Sequence, residues 1–164
     1  MDLVSFYQNV LSLIAPWYVD RVECYPDAKR GDIWLRHAES CFHCPECMVE
    51  YSVCDHLPER TWRHLDTCGY QTFLHARLPR VKCALVGEIT AWVPFATPQA
   101  SVTEDMECHC IMAMQECTMH GAEALTGVSV RKLDRIRSLA VERGLRRDAG
   151  EAAVSSAKTI CWSK

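Results

Sequence analysis

No run of apolar residues in this 164-residue chain approaches the roughly 18 that a membrane-crossing helix needs. The sequence therefore predicts a protein with no membrane partner. The marks of an export signal are missing as well. Asp2 stands where a basic segment belongs, and Gln8 and Asn9 interrupt the apolar run from Leu3 to Val19. Excess positive charge is also lacking: the net charge is −3, which argues against a uniformly basic nucleic-acid binder. There is no internal repeat. With 49% hydrophobic and 24% charged residues the chain is not disordered throughout, and its length suits one compact domain or two small ones. The expectation is a cytosolic protein.

Cysteine, by contrast, is abundant. Eleven cysteines in a reducing compartment fit a disulfide framework poorly, and an odd number fits it worse. Metal binding is the better explanation, with surplus thiols acting as small buried hydrophobes.

Charge is unevenly spread. Between Met119 and Arg147 seven basic residues face three acidic ones, a net of +4, and between His56 and Cys83 five face two, a net of +3. Two basic segments thus lie in an acidic background, as expected of a DNA-contacting surface or of a solvated helix face.

Apolar positions Leu3, Phe6, Tyr7, Val10, Leu13 and Ile14 recur with a period of about 3.6 and predict a helix over Asp2 to Ala15, ended by Pro16. Val19 to Tyr25 and Ile33 to His37 alternate loosely around a Pro26-Asp27 turn and predict a β-hairpin. Tyr51 to Asp55 and Tyr70 to Leu78 are strand-like, the second leading directly to Cys83. The two prolines between Pro94 and Ser101 suggest a linker. Beyond it helix formers take over. Thr103 is placed to cap a helix reaching about Cys117, followed by a short helix over Gly121 to Leu125, a turn at Thr126-Gly127, and a longer helix from Ser129 to Arg143. The predicted fold class is α+β. A β-rich, zinc-ribbon-like module with its N-terminal helix and hairpin (1–93) precedes a linker (94–102), a helical module (103–147) and a small, polar tail (148–164).

Cys44-Pro-Glu-Cys47 is a good half of a zinc site, because two intervening residues let both sulfurs reach one ion. Cys83 stands at a strand end, where the other half belongs. A partner three residues later would be Val86, which has no donor atom; substitutes would be Cys41, His43, Cys54, His64 or Cys68. A metal-free knuckle and a thiol–disulfide pair remain as alternatives.

The segment from Gly121 to Ile136 meets the needs of a helix-turn-helix. Ala122, Ala124 and Leu125 form a compact first helix, Gly127 allows a positive φ, and Ser129 can cap the second helix. Leu133 and Ile136 face inward, continued by Leu139 and Ala140. Arg131, Lys132 and Arg135 face outward, toward phosphates or guanine edges. A plain helical hairpin with a charged surface would have the same pattern.

The order of these motifs resembles the N-terminal region of ISL-three-type insertion-sequence transposases. The runs that carry the likeness are Phe42 to Cys47, Asp55-His56, Glu59 to Asp66, Thr72 to Cys83, Val93 to Ala96, the helix-turn-helix segment and Ala140 to Arg147, within roughly Trp17 to Arg147. The resemblance implies a zinc finger and a helix-turn-helix that bind the element's terminal inverted repeats in double-stranded DNA, in a bacterial, nucleoid-associated protein. It implies zinc as cofactor, with Cys44, Cys47 and Cys83 as ligands, and full-length transposase or a second copy as protein partner. Departures are Val86 at the fourth ligand and Met48 where the family has glycine. The family's chain continues past Arg147 to an acidic catalytic domain, whereas the 17 residues here resemble none of it. The expectation is therefore a chain cut off before catalysis, with no catalytic residue of its own. The alternatives are a zinc-stabilised protein-interaction module and a decayed fragment.

Overall fold

Alternating side chains build the first sheet. Trp17 and Val19 of β1 (Trp17–Tyr25), Ile33 and Leu35 of β2 (Arg30–His37), Trp62 of β5 (Arg60–Thr67) and Leu74 and Ala76 of β6 (Tyr70–Ala76) all turn to one core. In this computed structural model, which describes residues 2–154, the strand order is β1-β2-β6-β5. β1 and β2 form the expected antiparallel hairpin, β2 runs parallel to β6, and β6 is antiparallel to β5. A second four-stranded sheet, all antiparallel, consists of β3 (Cys41–His43), β4 (Glu50–His56), β7 (Pro79–Cys83) and β8 (Gly87–Thr90), in the order β3-β4-β7-β8.

Helix α1 (Leu3–Val10) is capped by the Asp2 carboxylate, which accepts the N–H of Ser5 at 2.6 Å. It ends earlier than the apolar period suggests. Ser12 takes a left-handed φ of 47°, and the Gln8 carboxamide spans the turn, accepting from Val19 N at 2.7 Å and donating to Leu13 O at 3.2 Å.

The single strand expected to run from Tyr70 toward Cys83 is broken. Ala76 ends β6 in the first sheet, and Pro79 opens β7 in the second, while Leu78 O accepts Leu57 N at 2.9 Å between them. β5 has no counterpart in the sequence pattern, because its buried face includes Arg63 and His64. Their polarity is satisfied inside. Arg63 donates to Asp66 and to the carbonyls of His64 and Thr72, and His64 Nδ1 lies 2.9 Å from Thr103 Oγ1.

Residues 94–102, expected as a linker, are laid against β5. Arg63 N donates to Ser101 O at 3.0 Å and Thr103 N donates to Arg63 O at 2.9 Å. Phe95 packs edge-on against both Trp17 and Trp62, with ring centroids 6.1 and 5.4 Å apart.

The chain divides into two units, Met1–Met106 and Glu107–Lys164. The division falls within α2 (Glu104–Glu116), whose first turn is capped as expected: Thr103 Oγ1 accepts Met106 N at 3.3 Å. In the second unit α3 (Met119–Thr126) starts at Thr118, whose hydroxyl accepts Gly121 N at 3.2 Å. It ends at Gly127, whose φ of 66° is the left-handed conformation the sequence suggested. Helix α4 (Val130–Val154) runs past the expected Arg143, so the tail expected over 148–164 begins inside it. The remainder, 155–164, lies outside the described residues. Ala122, Thr126, Val128, Leu133 and Ile136 are buried. Ala124 and Leu125, expected in that packing, are exposed, as is Leu139. Among the described side chains of α4, Leu133 and Ile136 are buried and Val130 and Ala140 are partly covered.

Candidate metal centre

Two short turns bring three sulfurs together. The first joins β3 to β4. Met48 N donates to Cys44 O and Cys44 N to Val49 O, each at 2.9 Å, which folds Cys44 and Cys47 onto the same side. Closing this turn puts Met48 at a φ of 56°, in the left-handed region that favours glycine. The second turn, Ala84 to Val86, joins β7 to β8 and places Cys83 opposite Gly87 in the ladder. Register between β4 and β7 then sets the two turns side by side.

The sulfurs of Cys44, Cys47 and Cys83 all lie within 4.8 Å of one another, with Cys47 and Cys83 3.7 Å apart. Cys44 and Cys83 are buried and Cys47 is partly buried. Backbone donors converge on them: Leu85 N points at the Cys83 sulfur from 3.4 Å. A hydrogen bond donated by the Val86 backbone N–H, helped by a second from Leu85, draws the Cys83 thiol down to about 6 despite its burial. Cys44 is shifted the other way: burial raises its thiol above the ordinary range, although the Cys47 and Glu46 amides oppose this. Amides aimed at sulfur favour the thiolate form, which is the form that binds a metal.

Val86, where sequence spacing calls for a fourth donor, thus contributes its backbone, and its side chain is half exposed. The substitute donors are placed elsewhere. His64 is buried against Thr103, Cys54 donates to Arg80 O at 3.3 Å, and Cys41 donates to Glu50 Oε1 at 2.9 Å. Cys68 is exposed at the β5–β6 turn and His43 is exposed at the end of β3. Among the described residues, Cys44, Cys47 and Cys83 form the one group of this kind. The residue that spacing rules miss is Tyr51, on β4. Its hydroxyl is 3.6 Å from the Cys83 sulfur, 3.9 Å from that of Cys47 and 3.5 Å from Ala84 N. Bonding to the Cys83 sulfur pushes its phenol up to about 12.

This geometry fits zinc. The donors are soft thiolates, drawn from two turns and shielded from solvent, as a structural zinc site requires. The pair also sits between two strands, not at the strand-to-helix junction of a thiol–disulfide enzyme. Residues 41–84 match the family described as the zinc-finger of transposase IS204/IS1001/IS1096/IS1165. All three cysteines lie in that segment. No curated protein and no solved structure gives a match. The cysteine-bearing segment is therefore similar to a transposase zinc finger, in agreement with the resemblance seen in the sequence.

In the second unit Arg131, Lys132 and Arg135 are exposed on the first turns of α4, opposite buried Leu133 and Ile136. Ser129 is exposed in the preceding turn, and its carbonyl accepts Lys132 N at 2.8 Å and Leu133 N at 2.9 Å. The side-chain cap expected of Ser129 falls instead to Glu123, whose carboxylate accepts Val130 N at 3.3 Å. Glu107 on α2 is buried in an ion pair with Arg143. Among the described residues no helix is long and apolar enough to cross a membrane.

Proposed function

We propose that this chain is the DNA-binding part of an insertion-sequence transposase, reading terminal inverted repeats without performing the cutting step itself. The observation that carries the reading is the convergence of Cys44, Cys47 and Cys83 inside a segment that matches a transposase zinc finger. Zinc held there would supply no catalysis. It would tie β3, β4, β7 and β8 into a rigid platform, coupling metal binding to folding.

On this reading α3 and α4 form the helix-turn-helix. Gly127 makes the turn, and the first turns of α4 enter the major groove. Arg131, Lys132 and Arg135 contact phosphates or guanine edges, and Ser129 with the α4 N-terminus contacts the backbone.

The test is selection of duplexes from a random-sequence double-stranded DNA pool with the zinc-loaded full chain, followed by affinity measurement on the selected duplex. Enrichment of one sequence, with binding lost on changing Arg131, Lys132 and Arg135 to Ala, is expected. Equal binding by the triple variant would remove the recognition-helix assignment.

A further inference from the structure

The three cysteines leave a tetrahedral zinc ion one donor short, and the position that spacing assigns to the fourth is an aliphatic side chain. A phenol oxygen, that of Tyr51, nevertheless lies beside two of the three sulfurs. We propose that the Tyr51 hydroxyl is the fourth ligand, giving a Cys3Tyr centre. This inference rests on the zinc reading above.

The distances carry it. Donors placed tetrahedrally about zinc, at about 2.3 Å for sulfur and about 2.0 Å for oxygen, stand about 3.8 Å apart sulfur to sulfur and about 3.5 Å apart sulfur to oxygen. The Cys47 and Cys83 sulfurs are 3.7 Å apart, and the Tyr51 oxygen is 3.6 Å from one and 3.9 Å from the other. Three edges of one tetrahedron are thus in place before an ion enters. The fold holds the phenol there. Tyr51 pairs with Phe42 across β3 and β4, close to the Cys44–Cys47 turn, so the strand that leaves the knuckle delivers the oxygen. Ala84 N, 3.5 Å from the same oxygen, belongs to the turn after Cys83 and orients it from the other side. None of the other candidate donors, Cys41, His43, Cys54, His64 or Cys68, lies within 4.8 Å of all three sulfurs.

Without metal the Tyr51 hydroxyl accepts from the Cys83 thiol at 3.6 Å. A bound cation favours the deprotonated form of any acid that coordinates it. The Tyr51 O–H bond breaks as the oxygen–zinc bond forms, and the proton leaves to solvent together with those of the thiols that are still protonated.

The test is titration of the reduced full-length chain with zinc at neutral pH, following near-ultraviolet absorbance and zinc affinity by competition with a chromophoric chelator. The expected result is a tyrosinate band that grows to one per chain as one zinc binds and is absent in Tyr51→Phe. The affinity of Tyr51→Phe should fall by more than the roughly 10–100-fold that loss of an outer-shell partner costs. Tyr51→Cys, which offers a fourth sulfur, should keep one zinc per chain and bind cobalt with a four-thiolate spectrum. A wild-type chain that binds one zinc with no tyrosinate band, or a Tyr51→Phe chain of unchanged affinity, overturns the ligand assignment but leaves the three-cysteine zinc site standing. A wild-type chain that binds no zinc overturns both.

Discussion

The Nε2 atom of His75 lies 2.6 Å from Oδ1 of Asp32, and both side chains are buried between β2 and β6. Arg30 grips the same carboxylate with two bonds of 2.6 and 2.7 Å, and Thr61 Oγ1 is 3.0 Å from the other ring nitrogen of His75. This chain of polar groups ties β2, β5 and β6 together on the face where Trp34 stacks on His75. Such a polar link marks the register, since the hydrophobic alternation excludes a one-residue slip but would tolerate a slip of two.

Burial would raise the Asp32 carboxyl, but the bonds from Arg30 and His75 outweigh it and hold the group below its ordinary 3.8. A carboxylate depressed in the fold stabilises above its unfolded value, and that contribution disappears as pH falls through the lower folded value. Asp32→Asn is expected to cost about 2–3 kcal/mol at pH 7, as the loss of charged hydrogen bonds does. Urea unfolding midpoints should show that gap closing in strongly acidic buffer, where wild-type Asp32 is protonated too. A gap that does not depend on pH would mean the carboxylate charge is irrelevant.

His64 responds in a different pH range. Its burial on β5 lowers its pKa below the ordinary 6.5, and Arg63 adds to this while Asp105 opposes it. The neutral ring is the folded form. Stability should therefore be complete above about pH 6.5 and fall as the pH drops through the lower folded value. His64→Gln, which keeps a polar partner for Thr103, should flatten that limb of the thermal-melting pH profile. An identical slope in both proteins would place the titration elsewhere.

Met48 occupies a left-handed position that glycine adopts without strain. Met48→Gly should stabilise the apo chain by up to about 1 kcal/mol, the relief of the strained φ being partly offset by glycine's entropy in the unfolded chain. Because Met48 is exposed, little packing is lost. Destabilisation on chemical denaturation would show that the turn relaxes otherwise in solution.

Much of this was readable from residues alone. Thr103 as a cap, Gly127 as a left-handed turn and the β1–β2 hairpin each follow from one local rule, and each local rule is satisfied by neighbours in the chain. What was not readable depends on distant partners. β5 hides because Arg63 and His64 look solvent-bound until Asp66, Thr72 and Thr103 are placed around them. Pro94 to Ser101 looked like a linker because only the fold puts Phe95 between Trp17 and Trp62. Cys44 and Cys47 were visible as a pair from spacing and Cys83 from its place at a strand end, whereas Tyr51 joins them through strand register, which spacing does not encode.

For the basic face of α4, salt dependence is the sharpest readout. Each phosphate contact contributes about 0.9 to the slope of log K against log salt on duplex DNA. Changing Arg131, Lys132 and Arg135 to Ala should reduce that slope by up to about 3, less by one for each side chain that reads a base edge. The wild-type slope retained in the triple variant would move the DNA contact to another surface.

Zinc removal tests the platform as a whole. A ligand that binds only the folded chain stabilises it by about 2.7 kcal/mol at about 100 times its Kd, which for a unit of this size shifts Tm on the order of 10 °C. Chelation should lower the Tm of the zinc-loaded chain by about that much, and zinc should restore it. Cys83→Ser should melt at the chelated temperature whether or not zinc is present, because it removes the one sulfur that the second turn supplies. If chelation leaves Tm unchanged and Cys83→Ser melts like the wild type, the knuckle is held by strand pairing and packing alone, and the sulfurs are neighbours without an ion to share.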